Sequence, residues 1–293
     1  MDIQHPELTA RNFPSAEQEA HAVKPPSRYS GPESSFSLAF TDNEFLLREE
    51  LRPVRMQLEL LKPEIVQAEQ GIESTIVIFG SARIPSPEAA AIGLVDAQAA
   101  AEPQALRRAE AALAMSHFYG EARRFGALVT ERSRSLKTPI YVVTGGGPGI
   151  MEAGNRGAFD VGGKSIGLNI VLPHEQEPNP WSTPELTFRF HYFAMRKMHL
   201  AMRANALVVF PGGFGTFDEL FELLTLRQTD KAPPIPIVLF DEAWWRSVIN
   251  FDVLIADGMI AASDLSLFHF AEDAEGIWQT LLACGVKPGA SIE

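Results

Sequence analysis

Residues 206–219 have the sequence ALVVFPGGFGTFDE, and this stretch decides the fold. The apolar run at 206–210 is typical of a buried parallel strand. Apolar residues at helical spacing follow the glycines: Phe217, Leu220, Phe221 and Leu224. Strand, glycine-rich loop and helix thus succeed one another. Glycines let backbone N–H groups approach a ligand, and the positive end of a helix dipole favours an anion, so this loop predicts a phosphate-binding site.

A purely structural interpretation of the same stretch exists. Thr216 and Glu219 fit a capping box, T-x-x-E, in which Glu219 would only accept a hydrogen bond from the Thr216 backbone N–H. Spacing alone favours that role for Glu219. However, three glycines in four residues (212–215) and an acidic pair directly after them are more than a cap requires.

Two earlier stretches follow the same pattern of strand and small-residue turn. Residues 75–83 predict a short buried strand that ends at Gly80 and Ser81, and residues 139–144 predict a strand that leads into the glycine triplet 145–147. A glycine triplet alone is typical of a plain strand-to-helix turn. Ligands of open parallel sheets bind at the carboxyl ends of strands, so the three glycine-bearing loops are expected to gather there.

The rest of the chain alternates between helical and strand patterns. Further helices are predicted at 104–130, 150–159, 193–204, 242–257 and 273–284, and further strands at 165–172, 186–192 (or an extended arm), 235–240 and 265–270. Residues 85–103 indicate an irregular insertion or a short helix. This alternation predicts an α/β fold, a doubly wound parallel sheet of Rossmann-like type.

The N-terminal part differs from this pattern. Residues 1–37 are rich in Pro, Ser, Glu and His and predict a flexible tail, and residues 41–70 predict helices broken at Pro53 and Pro63. We therefore expect a tail and N-terminal helical extension at 1–70 and a nucleotide-binding catalytic domain at 71–293.

Composition limits the class of protein. The chain has 293 residues, a formal net charge of −12 and one cysteine, Cys284, which excludes an intrachain disulfide and predicts a cytoplasmic protein. The acidic balance argues against nucleic-acid binding. No apolar run approaches the length of a membrane span, and the N-terminus lacks a signal pattern, so no membrane partner is expected.

The sequence does not complete the common nucleotide-binding and metal-binding motifs. Gly163-Lys164-Ser165 lacks the earlier glycine of a Walker A loop, because Ala158 stands there, and neither glycine loop completes G-x-G-x-x-G. Neither P-loop ATP hydrolysis nor a standard NAD site is therefore expected. The scattered His, Cys and carboxylate residues show no metal-ligand spacing, so no metal is predicted.

The helix predicted at 193–204 has two faces. One carries Arg196, His199 and Arg203, and another carries Met195, Met198 and Met202. By itself, this arrangement is typical of a structural helix with a methionine core stripe and a solvated cationic face.

Three motifs together resemble a known family. They are PGGFGTFDE at 211–219, GGGPGIMEA at 145–153 and Met195-Arg196-Lys197. In this order they resemble the LOG proteins, the cytokinin-activating nucleotide phosphoribohydrolases once labelled lysine decarboxylases. The resemblance covers roughly residues 76–270. It is specific for the family and much less so for the substrate.

The resemblance implies a site and a reaction. Glu219 and Arg196 are the predicted catalytic residues. The predicted substrate- and phosphate-binding residues are Gly80, Ser81, Gly145, Gly146, Gly147, Glu152, Met195, Lys197, Gly212, Gly213, Phe214, Gly215 and Thr216. The substrate would be a nucleoside 5′-monophosphate, AMP or a cytokinin nucleotide or both. Glu219 would stabilise an oxocarbenium-like sugar, and no cofactor is implied.

Other functions remain open at this point. The same loops would serve a nucleotide or molybdenum-cofactor carrier without turnover. The old decarboxylase label would need a pyridoxal phosphate Schiff-base lysine, and no lysine lies in a recognisable motif for it. Family members are dimers or larger assemblies, and the aromatic residues Phe188, Phe190, Tyr192 and Phe193 beside the methionines favour a homodimer or higher homo-oligomer. Alternatively, these aromatics cover the chain's own core.

Overall fold

The computed structural model describes residues 15–22, 27–31, 34–173 and 177–286. The tail predicted for residues 1–37 lies partly outside these ranges. The chain divides into two compact units, Met1–Lys62 and Pro63–Glu293.

The first unit is helical. It contains α1 (Ala16–Ala20) and α2 (Asn43–Leu46), and α3 (Arg52–Glu69) begins within it. The prediction that prolines break α3 is wrong, because α3 runs through Pro63 without a break. Pro53 lies in the first turn of α3, where backbone N–H groups make no hydrogen bond within the helix, so proline is tolerated there. Pro63 lies inside the helix, and its ring is buried.

The second unit is built on one parallel sheet. Its seven strands lie in the order β4-β3-β2-β1-β5-β6-β7, and every pairing is parallel. The strands are β1 (Ser74–Phe79), β2 (Ile140–Thr144), β3 (Ser165–Ile170), β4 (Thr187–Phe190), β5 (Ala204–Val209), β6 (Ile237–Phe240) and β7 (His269–Ala271). The predicted doubly wound α/β fold is therefore confirmed.

Helices cover both faces of this sheet. They are α4 (Pro87–Ala100), α5 (Pro103–Ser133), α6 (Ile150–Asp160), α7 (Phe193–Met202), α8 (Phe214–Gln228), α9 (Glu242–Val248), α10 (Phe251–Ala256) and α11 (Ala274–Ala283). Alternate residues of β1 point to opposite faces: Ile76 packs in a core with Phe125 and Trp278, and Val77 in a second core with Leu220 and Trp245.

Three predicted elements differ in detail. The segment at 85–103 contains the regular helix α4, whose start is capped by the Ser86 hydroxyl accepting from the Ala89 N–H at 3.2 Å. The helix predicted at 242–257 is two helices: α9 ends at Val248 with Ile249 as its C-cap, and the Asn250 side chain caps the start of α10. The strand predicted at 265–270 is the short β7, since a 3-10 turn occupies Ala262–Leu267.

From β1 to β4 successive strands are added on one side of β1, and from β5 to β7 they are added on the other side, so the strand order reverses between the neighbours β1 and β5. The turns after these strands are joined by a hydrogen bond from the Ser81 N–H to the Pro211 carbonyl at 3.0 Å. The loop after β2 lies beside them, because β2 is the other neighbour of β1. The sheet thus brings the three glycine-bearing loops to one edge. Within the described ranges, no helix has the length and apolar character needed to cross a membrane.

Candidate functional site

A cavity of about 630 Å³ opens at this edge. It is lined by residues 79–83 at the end of β1 and in the turn that follows, by residues 213–219 at the start of α8, and by Met151, Phe193 and Arg196. Charged, aromatic and backbone groups therefore meet in one concave site, which is the usual form of a small-molecule pocket.

The start of α8 decides between the two interpretations of the glycine stretch. Gly213 is the N-cap residue and no side chain caps the helix, so Thr216 already lies inside the first turn. Glu219 lies in the second turn, beyond reach of the cap. The capping-box interpretation is therefore wrong, and the Glu219 side chain is available for another role.

The glycine loop before α8 is open. A Cβ added at Gly213 or Gly215 would meet nothing within 4 Å, and Phe214 between them is 95% exposed. Within the described chain, the N–H groups of residues 214–216 donate to no protein acceptor, whereas the Phe217 N–H bonds to the Gly213 carbonyl. Gly212 differs, because its Cβ would lie 2.1 Å from the Thr216 hydroxyl oxygen. The loop thus presents free donors at a helix N-terminus, the arrangement that binds anions.

Arg196 and Glu219 face each other in the cavity wall. Arg196 Nη1 lies 3.7 Å from Glu219 Oε1, and the two side chains are only 12% and 8% exposed. Arg196 Nε also donates to the Leu168 carbonyl at 2.9 Å, which fixes the plane of the guanidinium. This places the two predicted catalytic side chains together, at a fixed distance and largely shielded from water.

The Glu219 carboxyl is strongly perturbed. Burial raises its pKa to about 7, although the neighbouring Arg196 and Lys197 act in the opposite direction. A carboxyl that titrates near neutral pH beside a cavity is suited to proton transfer or to stabilising a transient cation.

The side chains of Lys197 and Met195 lie outside the cavity. The Lys197 ammonium lies 2.8 Å from Glu222 and 3.0 Å from Asp218, so it ties α7 to α8. Burial lowers the pKa of Lys197, but hydrogen bonds with Glu222 and Asp218 outweigh it, and the net shift is upward. Met195 packs against the hydrophobic core. Neither lines the cavity.

The glycine triplet after β2 is closed. Gly146 has φ +71°, and a Cβ there would lie 1.9 Å from Asn169 Oδ1. A Cβ at Gly145 would lie 2.9 Å from Arg196 Nη2. Gly147 offers its carbonyl to the Asn179 amide at 3.1 Å. None of the three lines the cavity, and Gly145 leaves space that the Arg196 guanidinium occupies.

A buried polar network holds this triplet. Thr144 donates to Asn155 Oδ1 at 2.7 Å and accepts from the Gly146 N–H at 2.9 Å. Asn179 donates to Asn155 at 2.9 Å, and its own N–H bonds the Gly146 carbonyl at 2.8 Å. Because buried polar groups must be paired, this network fixes the loop in one conformation.

Glu152 is engaged away from the cavity. The Tyr119 hydroxyl donates to Glu152 Oε1 at 2.7 Å, and Glu152 does not line the cavity. Burial raises the pKa of Tyr119 to about 12, so the tyrosine is a donor at neutral pH. Glu152 thus lies outside the cavity that Glu219 lines, and its role in binding substrate stays a prediction.

Gly80 and Ser81 line the cavity and also make contacts that hold β1 against α6. A Cβ at Gly80 would lie 2.6 Å from the Ile150 side chain, so glycine lets β1 approach α6. The Ser81 carbonyl accepts from the Ile150 N–H at 3.1 Å.

Sequence reasoning missed several residues here. Tyr119, Asn155 and Asn179 were not predicted, and neither Arg83 nor Phe193 was assigned to the site. An asparagine on the apolar side of a helix, as at Asn155, is a signal that could have indicated a buried network. The pairing of Tyr119 with Glu152 spans 33 residues and leaves no local pattern.

His199 is buried and lies on β4's side of the core, where its ring packs against Phe190. Arg203, the C-cap residue of α7, forms an ion pair with Glu64. Neither His199 nor Arg203 lines the cavity. Among the described residues, no group of three or more His, Cys, Asp or Glu side chains is arranged to hold a metal ion.

Comparisons with known proteins point to one family. A family described as "Possible lysine decarboxylase" matches residues 151–281. A probable cytokinin riboside 5′-monophosphate phosphoribohydrolase of Oryza sativa subsp. japonica is 26% identical over 160 residues, which are 54% of this chain and 66% of the relative. The cytokinin riboside 5′-monophosphate phosphoribohydrolase of Rhodococcoides fascians is 25% identical over 163 residues, 54% of this chain and 81% of the relative.

The rice alignment thus spans slightly less than two thirds of that relative. Among solved structures, a molybdenum cofactor binding protein from the phototrophic bacterium Rippkaea orientalis is 16% identical, with a TM-score of 0.44 over 72% of this chain and 96% of its own. The sequence matches confirm the resemblance to the LOG family that the three motifs indicate.

Proposed function

We propose that this LOG-like protein hydrolyses the N-glycosidic bond of nucleoside 5′-monophosphates, AMP or cytokinin nucleotides, to give a free base and ribose 5-phosphate. One observation carries the proposal: the buried Arg196–Glu219 pair lies in the wall of the same cavity as the open N-terminus of α8. The relatives with phosphoribohydrolase names support it at the level of the family.

The geometry suits such a substrate. A 5′-phosphate would accept from the N–H groups of residues 214–216, which donate to no acceptor in the described part of the chain. Glu219 lies five residues beyond Phe214, about 7.5 Å along the helix axis at 1.5 Å per residue. That distance is comparable with the length of a ribose 5-phosphate, so a bound phosphate would bring the anomeric carbon towards Glu219.

The two charged side chains would divide the chemistry. Cleavage of the glycosidic bond passes through an oxocarbenium-like sugar, which the Glu219 carboxylate would stabilise while it orients the attacking water. The Arg196 guanidinium would donate to the ribose hydroxyls through its planar fork. Its charge also favours the ionised form of Glu219 against the effect of burial.

The decarboxylase description of the family receives no support from Lys197. A Schiff-base lysine must lose its proton, which requires a lowered pKa. Lys197 is held by two carboxylates and its pKa is shifted upward. An absorbance band of a Schiff base in the purified protein would contradict this conclusion.

The test of the proposed function is direct. The protein is incubated with a panel of nucleoside 5′-monophosphates that includes AMP and an N6-isopentenyl adenine nucleotide, and the released base and ribose 5-phosphate are measured. Equal amounts of the two products from at least one member support hydrolysis. Binding without release of base from any member would contradict it and would favour a carrier.

We also propose that the protein is a homodimer or a larger homo-oligomer that pairs through α7. Phe193, Met198 and Met202 are 52%, 46% and 43% exposed on this helix, whereas Phe188 and Phe190 are buried in the chain's own core. Light scattering should give a multiple of the 32.2 kDa chain mass. A mass of one chain at all concentrations, with activity retained, would contradict this.

A further inference from the structure

Arg83 is the cationic side chain of the turn after β1. It is exposed and lines the cavity. Its N–H donates to the Ser81 hydroxyl at 3.1 Å, and the next residue, Ile84, is only 4% exposed and packs in the core. The backbone at Arg83 is thus anchored on both sides while its guanidinium remains in solvent.

This turn is fixed to the loop that precedes α8. The Ser81 N–H donates to the Pro211 carbonyl at 3.0 Å, and a Cβ at Gly149 would lie 2.3 Å from the Ser81 carbonyl oxygen. The turn is therefore packed between the start of α6 and the loop that leads to α8. Arg83 is held at the same end of the sheet as the free N–H groups of α8.

The charged side chains that line the cavity differ in whether they have partners among the described residues. Four charged side chains line it, of which Asp218 and Glu219 are acidic. Arg196 pairs with Glu219, and Asp218 pairs with Lys197. Within the chain segments that the structure describes, Arg83 forms neither an ion pair nor a side-chain hydrogen bond. A phosphate dianion that enters beside two carboxylates needs a cation to offset their repulsion.

We propose that Arg83 binds the 5′-phosphate of the substrate, together with the N–H groups of α8, and so selects nucleotides over nucleosides. This inference rests on the proposed function. A guanidinium donates two parallel hydrogen bonds to a phosphate, which neither a lysine nor a backbone N–H can do. Arg83 would thus determine affinity for the phosphate, while the reacting bond remains with Glu219 and Arg196.

The experiment uses the full-length protein with Arg83→Gln, Arg83→Lys and a control, Arg108→Gln. Arg108 is an exposed arginine of α5 that does not line the cavity. Calorimetry measures the affinity for ribose 5-phosphate, and steady-state kinetics measure base release from AMP and from adenosine. Circular dichroism checks that each variant is folded.

Arg83→Gln should weaken ribose 5-phosphate binding and raise KM for AMP by about 10- to 100-fold, the usual effect of losing a charged hydrogen-bond donor, with kcat within about threefold. Arg83→Lys should fall in between, and Arg108→Gln should match the wild type. The kcat/KM for adenosine should not change, because adenosine has no phosphate. An equal loss for adenosine and AMP would indicate a structural role and overturn the inference.

The outcomes also separate this inference from the proposed function. Wild-type hydrolysis of AMP with unchanged KM in Arg83→Gln overturns the role of Arg83 alone. Wild-type binding of ribose 5-phosphate without base release overturns the proposed function alone, and loss of that binding in Arg83→Gln still supports Arg83 as a phosphate ligand. Absence of ribose 5-phosphate binding in the wild type overturns both.

Discussion

Two strand–glycine loop–helix units of this protein are alike in sequence and different in structure. The unit of β2 and α6 has a buried glycine triplet, in which a Cβ at Gly145 or Gly146 would lie within 3 Å of a neighbouring side chain. The unit of β5 and α8 leaves Gly213 and Gly215 with no neighbour within 4 Å of an added Cβ. The first loop is a packed support for Arg196, and the second presents its backbone to the cavity.

Each unit also has a glutamate early in its helix, and these differ in the same way. Glu152 accepts a hydrogen bond from Tyr119 and does not line the cavity. Glu219 lines it, and burial raises its pKa to about 7. The comparison teaches that a glycine-rich turn followed by a glutamate does not identify a site. What decides is whether the space around the glycines is filled by the protein.

The largest expected effect on folding comes from Gly146→Ala in the closed loop. Alanine is strained at φ +71°, and its Cβ would lie 1.9 Å from Asn169 Oδ1, so the free energy of unfolding should fall by about 2–5 kcal/mol. Thermal unfolding by circular dichroism measures this. The matched variant in the open loop, Gly213→Ala, has φ −100° and free space, so its unfolding temperature should stay near the wild-type value. Similar losses for both variants would remove the distinction between the loops.

The open loop should make the 5′-phosphate of the substrate essential. Its N–H groups find full partners only in an anion, and each charged hydrogen bond contributes about 1.5–3 kcal/mol. The kcat/KM for AMP should therefore exceed that for adenosine by about 10²-fold or more. Comparable values for the two substrates would show that the open loop does not bind phosphate.

The pH dependence of the reaction should follow the ionisation of Glu219. Because the ionised carboxylate is the reactive form and the pKa of Glu219 is about 7, kcat/KM should rise about tenfold per pH unit below 7 and level off above it. The substrate phosphate itself titrates near pH 6. Ribose 5-phosphate affinity measured over the same range separates the two effects. A rate that falls as pH rises through 7 would contradict the assigned role.

The fold could be predicted from sequence because its signals are local. The buried strands are short runs of apolar residues, and the helical spacing of apolar residues in α8 is visible without the structure. The element predictions were wrong where local signals mislead: Pro63 lies inside α3, and Leu265 and Leu267 belong to a 3-10 turn instead of a strand. A buried proline ring can offset a missing helical hydrogen bond, which sequence alone does not reveal.

The candidate site was predictable only in part. Glu219 and Arg196, the two predicted catalytic residues, are brought together by α7 and α8. By contrast, Lys197 and Glu152 lie in motifs of the same kind but are bound to Asp218, Glu222 and Tyr119. These partners come from packing between helices. A sequence motif indicates that a residue matters, but not whether it faces a ligand or a neighbouring helix.

The most direct test of the account compares the two glutamates by the same change. Base release from AMP is measured for Glu219→Gln and Glu152→Gln, with Glu275→Gln, on the surface of α11, as a control. We expect Glu219→Gln to fold and to lose about 10²- to 10⁴-fold in kcat, since it removes the carboxylate at the reacting sugar. Glu152→Gln should lose less than about tenfold, because this carboxylate lies outside the cavity and accepts a hydrogen bond from Tyr119. Near wild-type turnover in Glu219→Gln, or an equal loss in Glu152→Gln, would contradict the account.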